Sequence, residues 1–261
     1  WDLLASGSYN GPNGIGWCPA GWTSYERAYA GWLDIEELKA GDIITGMKDL
    51  EDYEGKAYAI YNDNHRDEFY LLENHKNRGW NAYTPEGGLL VIHVDYDKAL
   101  FDNNIVNSKG TFTPAQGYDG IYTNDHPRMA PFSKIRSVTN ETYYYTYPIE
   151  APRGVLDSLT NVSKPAATLY NALADGSTLM GKPIYNIKKD AETGDISFSF
   201  MTKDTGTETA VSEIPYTDDS FSAEDNVYDL TGKLVGKRTG SLKPGIYIIG
   251  NKDRTRKIIV R

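Results

Sequence analysis

Four histidines, one cysteine and 36 acidic residues are the side chains of this 261-residue chain best suited to chemistry. His65, His75, His93 and His126 are never spaced i, i+4, so no helix face carries a zinc-binding histidine pair. The motifs H-E-x-x-H, the P-loop, G-x-S-x-G and the EF-hand calcium loop are all absent from the sequence. Cys18 stands alone and can form neither an internal disulfide nor a cysteine zinc site. His93 and Asp95 lie two apart in an apolar run, which puts both on one side of a strand, a geometry suited to an acid/base pair or a metal. A half-buried imidazole donating to a neighbouring carboxylate or carbonyl is the plainer reading and the stronger one.

Oxygen-rich clusters are the other candidates. Asp95, Asp97, Asp102, Asn103 and Asn104 crowd one short stretch, and a hard cation such as calcium takes carboxylate and amide oxygens of this kind. Asp95, Asp97 and Asp102 are therefore the candidate calcium ligands, against the commoner role of Asp and Asn in ordinary turns. The group Asn62, Asp63, Asn64, Asp67 and Glu68 falls between two strand-like runs, where a polar turn is required in any case. Trp80 and Tyr83, beside Gly79, form a loop pair that could stack on sugar rings, although closing the end of a β-sandwich is the commoner use of such aromatics. Asn140 and Asn161 head two N-x-S/T triplets, a chance-level number.

The elements that must position these residues are mostly strands. Strand-like runs cover Ala57–Tyr61, Glu68–Glu73, Leu89–Asp95, Tyr143–Tyr147 and Ile196–Met201, separated by turn clusters such as Asn62-Asp63-Asn64 and Pro85-Glu86-Gly87-Gly88. Twenty tyrosines suit half-buried pleated surfaces, and the spacing is that of a β-sandwich. Ahead of them, residues 1–22 form a loop with five glycines, yet Trp1, Leu3, Leu4, Trp17 and Trp22 are too apolar for a solvated one. A short helix follows, announced by the T-x-x-E capping box of Thr23 and Glu26 and by an apolar stripe of Tyr25, Ala28, Tyr29 and Trp32. A second helix is expected over Ser163–Ala174, with Ser163 as its cap and Pro165 in its first turn.

Charge divides the chain further. Residues 226–261 carry five Lys and four Arg against two Asp, a charge of +7, so residues 1–225 hold −16 of a total of −9. Short strands at Val227–Leu230, Lys233–Val235, Ile246–Ile249 and Lys257–Val260 make this tail a small β module. Its basic residues are scattered among turns without an aromatic platform, which argues against a nucleic-acid partner. A mean hydropathy of −0.54 and the lack of a long apolar run argue against a transmembrane helix. Hydrophobic residues at 39% place the chain among globular proteins with one or two domains. It begins at Trp1 without a basic-then-apolar leader, so its true start is expected to lie upstream.

At that start the wording becomes specific. Trp1-Asp2-Leu3-Leu4-Ala5-Ser6-Gly7-Ser8-Tyr9-Asn10, then Tyr25-Glu26-Arg27 and Gly31-Trp32-Leu33, resembles the segment after the zinc helix in immune inhibitor A-like secreted metallopeptidases. Tyr70-Leu71-Leu72-Glu73-Asn74, Gly79-Trp80 and Gly88 to Asp95 continue the likeness, which extends through Pro183–Phe200 and so covers residues 1 to about 200. The resemblance implies a parent enzyme that hydrolyses peptide bonds by zinc-activated water, its zinc held on an H-E-x-x-H helix upstream of Trp1. It places Leu4 at the family's Met-turn position, beneath the zinc-binding histidines, and Leu for Met nearly conserves volume. His75 stands where the family usually has Arg, which unsettles any salt bridge there. Val227 to Gly232, Leu242 to Tyr247 and the basic last strand look like the sorting domains of the bacterial type IX secretion route.

Together these readings set the expectations. The fold is mainly β, with an α+β N-terminal end: residues 1–40 the end of a catalytic domain, 41–215 a β-rich accessory region, 226–261 a sorting-like module. The function expected is the C-terminal portion of a secreted or surface zinc metallopeptidase, inactive alone because the zinc motif is absent, with the upstream catalytic domain and a peptide or protein substrate as partners. Location is expected to be extracellular or on the outer cell surface. The alternative is a non-catalytic surface module for glycan or protein on a degenerate peptidase scaffold.

Overall fold

The structure is a computed structural model that describes residues 1–132, 134–136, 142–144, 146–151, 154–203, 226–229, 231–237, 245–250 and 255–260. The fold is mainly β, and the chain divides into two compact units, Trp1–Thr205 and Gly206–Arg261. The boundary expected at residue 40 does not separate compact bodies. Residues 1–40 belong to the first unit because Ile35–Glu37 (β1) pairs in parallel with Ala57–Tyr61 (β3) across the intervening Ile43–Met47 (β2).

The first unit is organised around Glu68–His75 (β4) and Gly88–Asp95 (β5). All eight residues of β5 and all but Phe69 of β4 are buried, because both faces of this strand pair are covered. The remaining strands are Gly110–Phe112 (β6), Tyr122–Asn124 (β7), Met129–Pro131 (β8), Lys134–Arg136 (β9), Thr142–Tyr144 (β10), Ile149–Ala151 (β11), Gly154–Leu156 (β12), Ile184–Lys189 (β13) and Ile196–Phe200 (β14). A five-stranded sheet runs β1-β3-β4-β5-β8, parallel only at β1·β3, and a three-stranded antiparallel sheet runs β13-β14-β2.

Side-chain alternation decides what each face meets. Tyr58, Ile60, Tyr70, Leu72, Leu89 and Val91 face the smaller sheet and pack with Met47, Ile184, Ile187, Ile196, Phe198 and Phe200 in one core cluster. Ala59, Leu71, Leu90, Ile92 and Val94 face the other way, under Trp1, Tyr25, Tyr96 and Phe101. The expected sandwich therefore carries an added layer, made of the N-terminal segment and the helices Ser24–Tyr29 (α1) and Lys98–Asp102 (α2). Gly88 is needed where β5 begins: at φ +154° a Cβ would lie 2.7 Å from the Tyr147 carbonyl oxygen, and Leu89 exchanges backbone hydrogen bonds with Tyr147 at 2.8 Å.

Strand positions read from the sequence agree with those observed to within two residues at Ala57–Tyr61, β4, β5 and β14, whereas Tyr143–Tyr147 shortens to β10 with an isolated bridge at Tyr147. Both helix expectations need correction. The capping box of Thr23 and Glu26 forms, but α1 stops at Tyr29 and Gly31 turns the chain at φ +74°. Only Tyr25 of the expected stripe docks firmly, while Tyr29 and Trp32 point to solvent and Trp22 stacks on Trp32 at 4.8 Å. No helix forms over Ser163–Ala174. Its backbone amides bond across the excursion between β12 and β13, Ala167 to Thr160, Leu169 to Thr178 and Leu173 to Ser177, and this pairing carries Ala167, Leu169 and Met180 into the core.

The second unit holds Asn226–Tyr228 (β15), Leu234–Lys237 (β16), Gly245–Gly250 (β17) and Thr255–Val260 (β18) as one antiparallel sheet in the order β16-β15-β17-β18. Val227 and Ile249 form its small core with Tyr247. These are the four strands expected in the basic tail. No helix long and apolar enough to cross a membrane occurs among the described residues.

Candidate functional site

The ladder between β4 and β5 sets Glu68 directly opposite Asp95. Like charges facing each other across strands repel, so this pair is stable only if donors surround it. Both carboxylates project on the face of Tyr70 and Val91, at the end of the sandwich, and both are buried. Glu68 Oε1 lies 2.8 Å from His93 Nε2 and accepts the Tyr170 amide at 2.6 Å. Its Oε2 accepts the Asn171 amide at 2.9 Å and the Asn62 side-chain amide at 3.0 Å. Burial alone would raise this carboxyl, but the hydrogen bonds from His93, Tyr170, Asn171 and Asn62 outweigh it and hold it at about 2.

Asp95 has its own set. Oδ2 lies 2.7 Å from His126 Nε2 and accepts Arg128 Nη1 at 2.6 Å, while Oδ1 accepts the Asn171 side-chain amide at 3.0 Å. His65, more exposed, stands 3.6 Å away. Tyr170 fills the gap between the two halves, its ring stacked between His93 at 4.7 Å and His126 at 3.7 Å. Asn171 touches both carboxylates and so ties the excursion between β12 and β13 to β4 and β5.

His93 and Asp95 thus share a face, as their spacing predicts, but they are not partners: His93 serves Glu68 and Asp95 serves His126 and Arg128. Chemically this is a saturated network. Every carboxylate oxygen is engaged by a donor of the chain itself, which makes the cluster a polar clamp in place of an acid/base pair. Asn62 and Glu68, which the sequence presents as members of a plain turn, prove to be central to it. His126, Arg128, Tyr170 and Asn171 carry no pattern that would link them to Asp95 before folding. One signal was readable: Glu68 is a charged residue at a core-facing step of an apolar strand, and a buried charge needs partners.

The three candidate calcium ligands are not brought together. Asp97 caps α2, accepting the amides of Ala99 and Leu100 at 2.9 and 3.2 Å; Asp102 pairs with Lys98 at 2.5 Å on the surface; Asp95 belongs to the clamp. Each carboxylate is drawn to a nearer donor, and no group of three or more His, Cys, Asp or Glu among the described residues has the geometry to hold a metal ion. Asn140 lies outside the described residues, and Asn161 Oδ1 accepts the Gly181 amide at 3.0 Å.

At the opposite face of the sheet, Leu4 sits in a tight turn, 75% exposed. Asp2 builds that turn: its carbonyl accepts the Ala5 amide at 3.2 Å and its Oδ1 the Leu4 amide at 2.7 Å. Beneath it His75 Nε2 lies 2.5 Å from Glu73 Oε1 in a buried pair, with the Trp1 ring edge-on to His75 at 5.6 Å. A buried contact between His75 and Glu73 therefore occupies the position where the resemblance put a salt bridge in doubt. Trp80 is 59% and Tyr83 47% exposed, and the Cys18 thiol contacts the Gly79 and Trp80 carbonyls; Trp17, next to Cys18 in the chain, is also exposed. Comparison with protein-family models, with curated proteins and with solved structures finds no match.

Proposed function

We propose that this chain is the portion of a secreted or surface zinc metallopeptidase that follows the zinc-binding helix, joined to a sorting-like tail. The observation that carries the reading is the Asp2–Ala5 turn with Leu4 at its tip. An apolar side chain held outward by a tight, carboxylate-braced turn requires cover, and the exposed Tyr9, Ile15 and Trp17 extend the same need along the segment. An upstream catalytic domain would supply that cover, with Leu4 as the apolar floor beneath its zinc ligands. The described residues offer no ligand group for zinc, so no step of hydrolysis is assigned to them.

The test is to read the coding sequence ahead of Trp1 and to assay the whole product. The expected outcome is an H-E-x-x-H motif upstream, cleavage of an unfolded protein substrate that stops on chelation and returns with zinc, and no cleavage by residues 1–261 alone. A whole product that lacks the motif and cleaves nothing overturns the reading.

Exposure of Trp80, Tyr83 and Trp17 favours one second reading, a glycan-binding surface. On that reading Trp80→Ala lowers affinity on a glycan array at least about tenfold, in line with the loss of one stacking ring. Equal binding by the variant and the native chain removes it.

A further inference from the structure

The excursion between β12 and β13 begins with a turn, Thr160-Asn161-Val162-Ser163, that is braced by its own side chains. Thr160 Oγ1 accepts the Val162 and Ser163 amides at 3.1 and 3.0 Å, and Ser163 Oγ donates to the Pro165 carbonyl at 2.7 Å. Just ahead of it, Leu159 and Ile184 exchange backbone hydrogen bonds at 3.0 and 2.9 Å, which fixes the turn against β13. Beyond β13, Asn186 Nδ2 donates to the Lys203 carbonyl at 3.1 Å and Ser199 Oγ to the Thr202 carbonyl at 2.9 Å, so the backbone after β14 is pinned as well. A cavity of about 510 Å³ opens to solvent between these two braced walls, within the size range of small-molecule sites.

Its lining is rich in donors and holds one charge. Asn161 Oδ1 accepts the Gly181 amide at 3.0 Å, which orients the side-chain amide and leaves Nδ2 for another acceptor. Lys203 Nζ stands over the Tyr185 ring, 5.5 Å from its centre, where the ring's negative face favours the ammonium. Among the described residues neither Asn161 Nδ2 nor Lys203 Nζ has an acceptor or ion-pair partner, and no carboxylate lines the cavity. That sets it apart from its surroundings, since residues 1–225 sum to a charge of −16. The hydroxyls of Ser158 and Tyr185 also line it, and each can both donate and accept. A neutral sugar would leave the ammonium unused, and a bare inorganic anion would leave the hydroxyls and the amide unused. An anion on a hydroxyl-bearing body uses the whole set.

We propose that this cavity binds a sugar acid, a pyranose ring carrying a carboxylate, with the carboxylate on Lys203 Nζ and the ring hydroxyls on Asn161 Nδ2, Ser158 and Tyr185. The ammonium supplies a charge-assisted hydrogen bond to the carboxylate, and the neutral donors and acceptors read the hydroxyls around the ring. Because both walls are braced before the ligand arrives, little ordering opposes binding. The site lies wholly within the first unit and needs neither zinc nor an upstream domain, so it stands or falls apart from the peptidase reading. It is also separate from Trp80 and Tyr83, none of whose atoms line it.

Titration of residues 1–261 with sodium D-glucuronate, followed by amide chemical shifts, tests it. Saturable shifts are expected at the Asn161 side-chain amide and at the backbone amides of Val162, Gly181 and Lys203, with a dissociation constant of about a millimolar or below. D-Glucose, the ring without the carboxylate, and acetate, the carboxylate without the ring, are each expected to bind at least about tenfold more weakly. Lys203→Met keeps the apolar stem and removes the charge, and should weaken glucuronate at least about tenfold while leaving glucose unchanged. Asn161→Asp keeps the acceptor for Gly181 but sets a like charge against the ligand; it is expected to abolish binding and serves as the second variant if Lys203→Met fails to fold. No saturation at about 50 mM glucuronate, glucose, acetate or inorganic phosphate binding as tightly as glucuronate, or native affinity in a folded variant overturns the proposal.

Discussion

Replacing Glu68 with alanine is expected to lower the stability of the first unit by about 4 kcal/mol, the scale of breaking a buried charge network from one side. The variant leaves His93 and the Tyr170 and Asn171 amides without their acceptor and takes one of its two from the Asn62 side chain, around a position that is itself fully buried. For a unit of about this size that corresponds to a melting midpoint lower by roughly 8–16 °C, read by thermal denaturation. Acid provides an independent check. Because the folded carboxyl is held at about 2, below the ordinary glutamate value, its contribution is complete above about pH 4.5 and is lost as pH falls toward 2. Its full size is on the order of 3 kcal/mol, so Glu68→Gln, which does not ionise, should show a correspondingly flatter acid limb. A midpoint for Glu68→Ala within about 2 °C of the native one would show that the clamp carries little of the fold's stability.

Phe198→Ala is expected to cost about 3–5 kcal/mol, the range for deleting a large ring from a packed core. Phe198 is buried on β14, and its ring stands edge-on to Tyr58 of β3 at 6.1 Å, so it bridges the two sheets. The cavity opens on the plane where the sheets meet, which neither sheet can close by itself. Urea unfolding should show a lower midpoint with one transition followed both by tryptophan fluorescence and by far-UV dichroism. Tyr29→Ala, at a side chain 90% exposed, is the companion that should remain within about 0.5 kcal/mol of native.

Much of the framework was readable from local pattern. Strands β3, β4, β5 and β14 announce themselves by β-branched and aromatic runs between turn residues, and the capping box of Thr23 and Glu26 marks the start of α1 correctly. What failed did so for tertiary reasons. Ser163 and Pro165 carry helix-start chemistry, but pairing Ala167 with Thr160 and Leu169 with Thr178 buries more apolar surface than a short surface helix would. Tyr29 and Trp32 satisfy a helical stripe, yet Gly31 ends the helix before Trp32 can join it. At the site, the two-residue spacing of His93 and Asp95 correctly put both on one face, a strictly local property of a strand. Their partners come from 25 residues away for Glu68, 31 for His126 and 76 for the Asn171 side chain, distances at which residue spacing carries no information.

The pairing of β2 with β14 also fixes the order in which this chain can be assembled. Gly46 donates to Ser197 Oγ across 151 residues, and Ile44 lies opposite Phe198 in the ladder. During synthesis β2 emerges early and waits for most of the first unit to follow before its partner exists, so the smaller sheet closes last. Contacts of such long sequence separation slow folding. Until β14 arrives, the apolar face carried by Tyr58, Ile60, Tyr70 and Leu72 lacks the part of its cover that Ile196, Phe198 and Phe200 supply, and in that interval the nascent chain is open to misassembly. A stop codon before Ile196 would leave that core permanently incomplete, which makes truncated products of this chain candidates for aggregation.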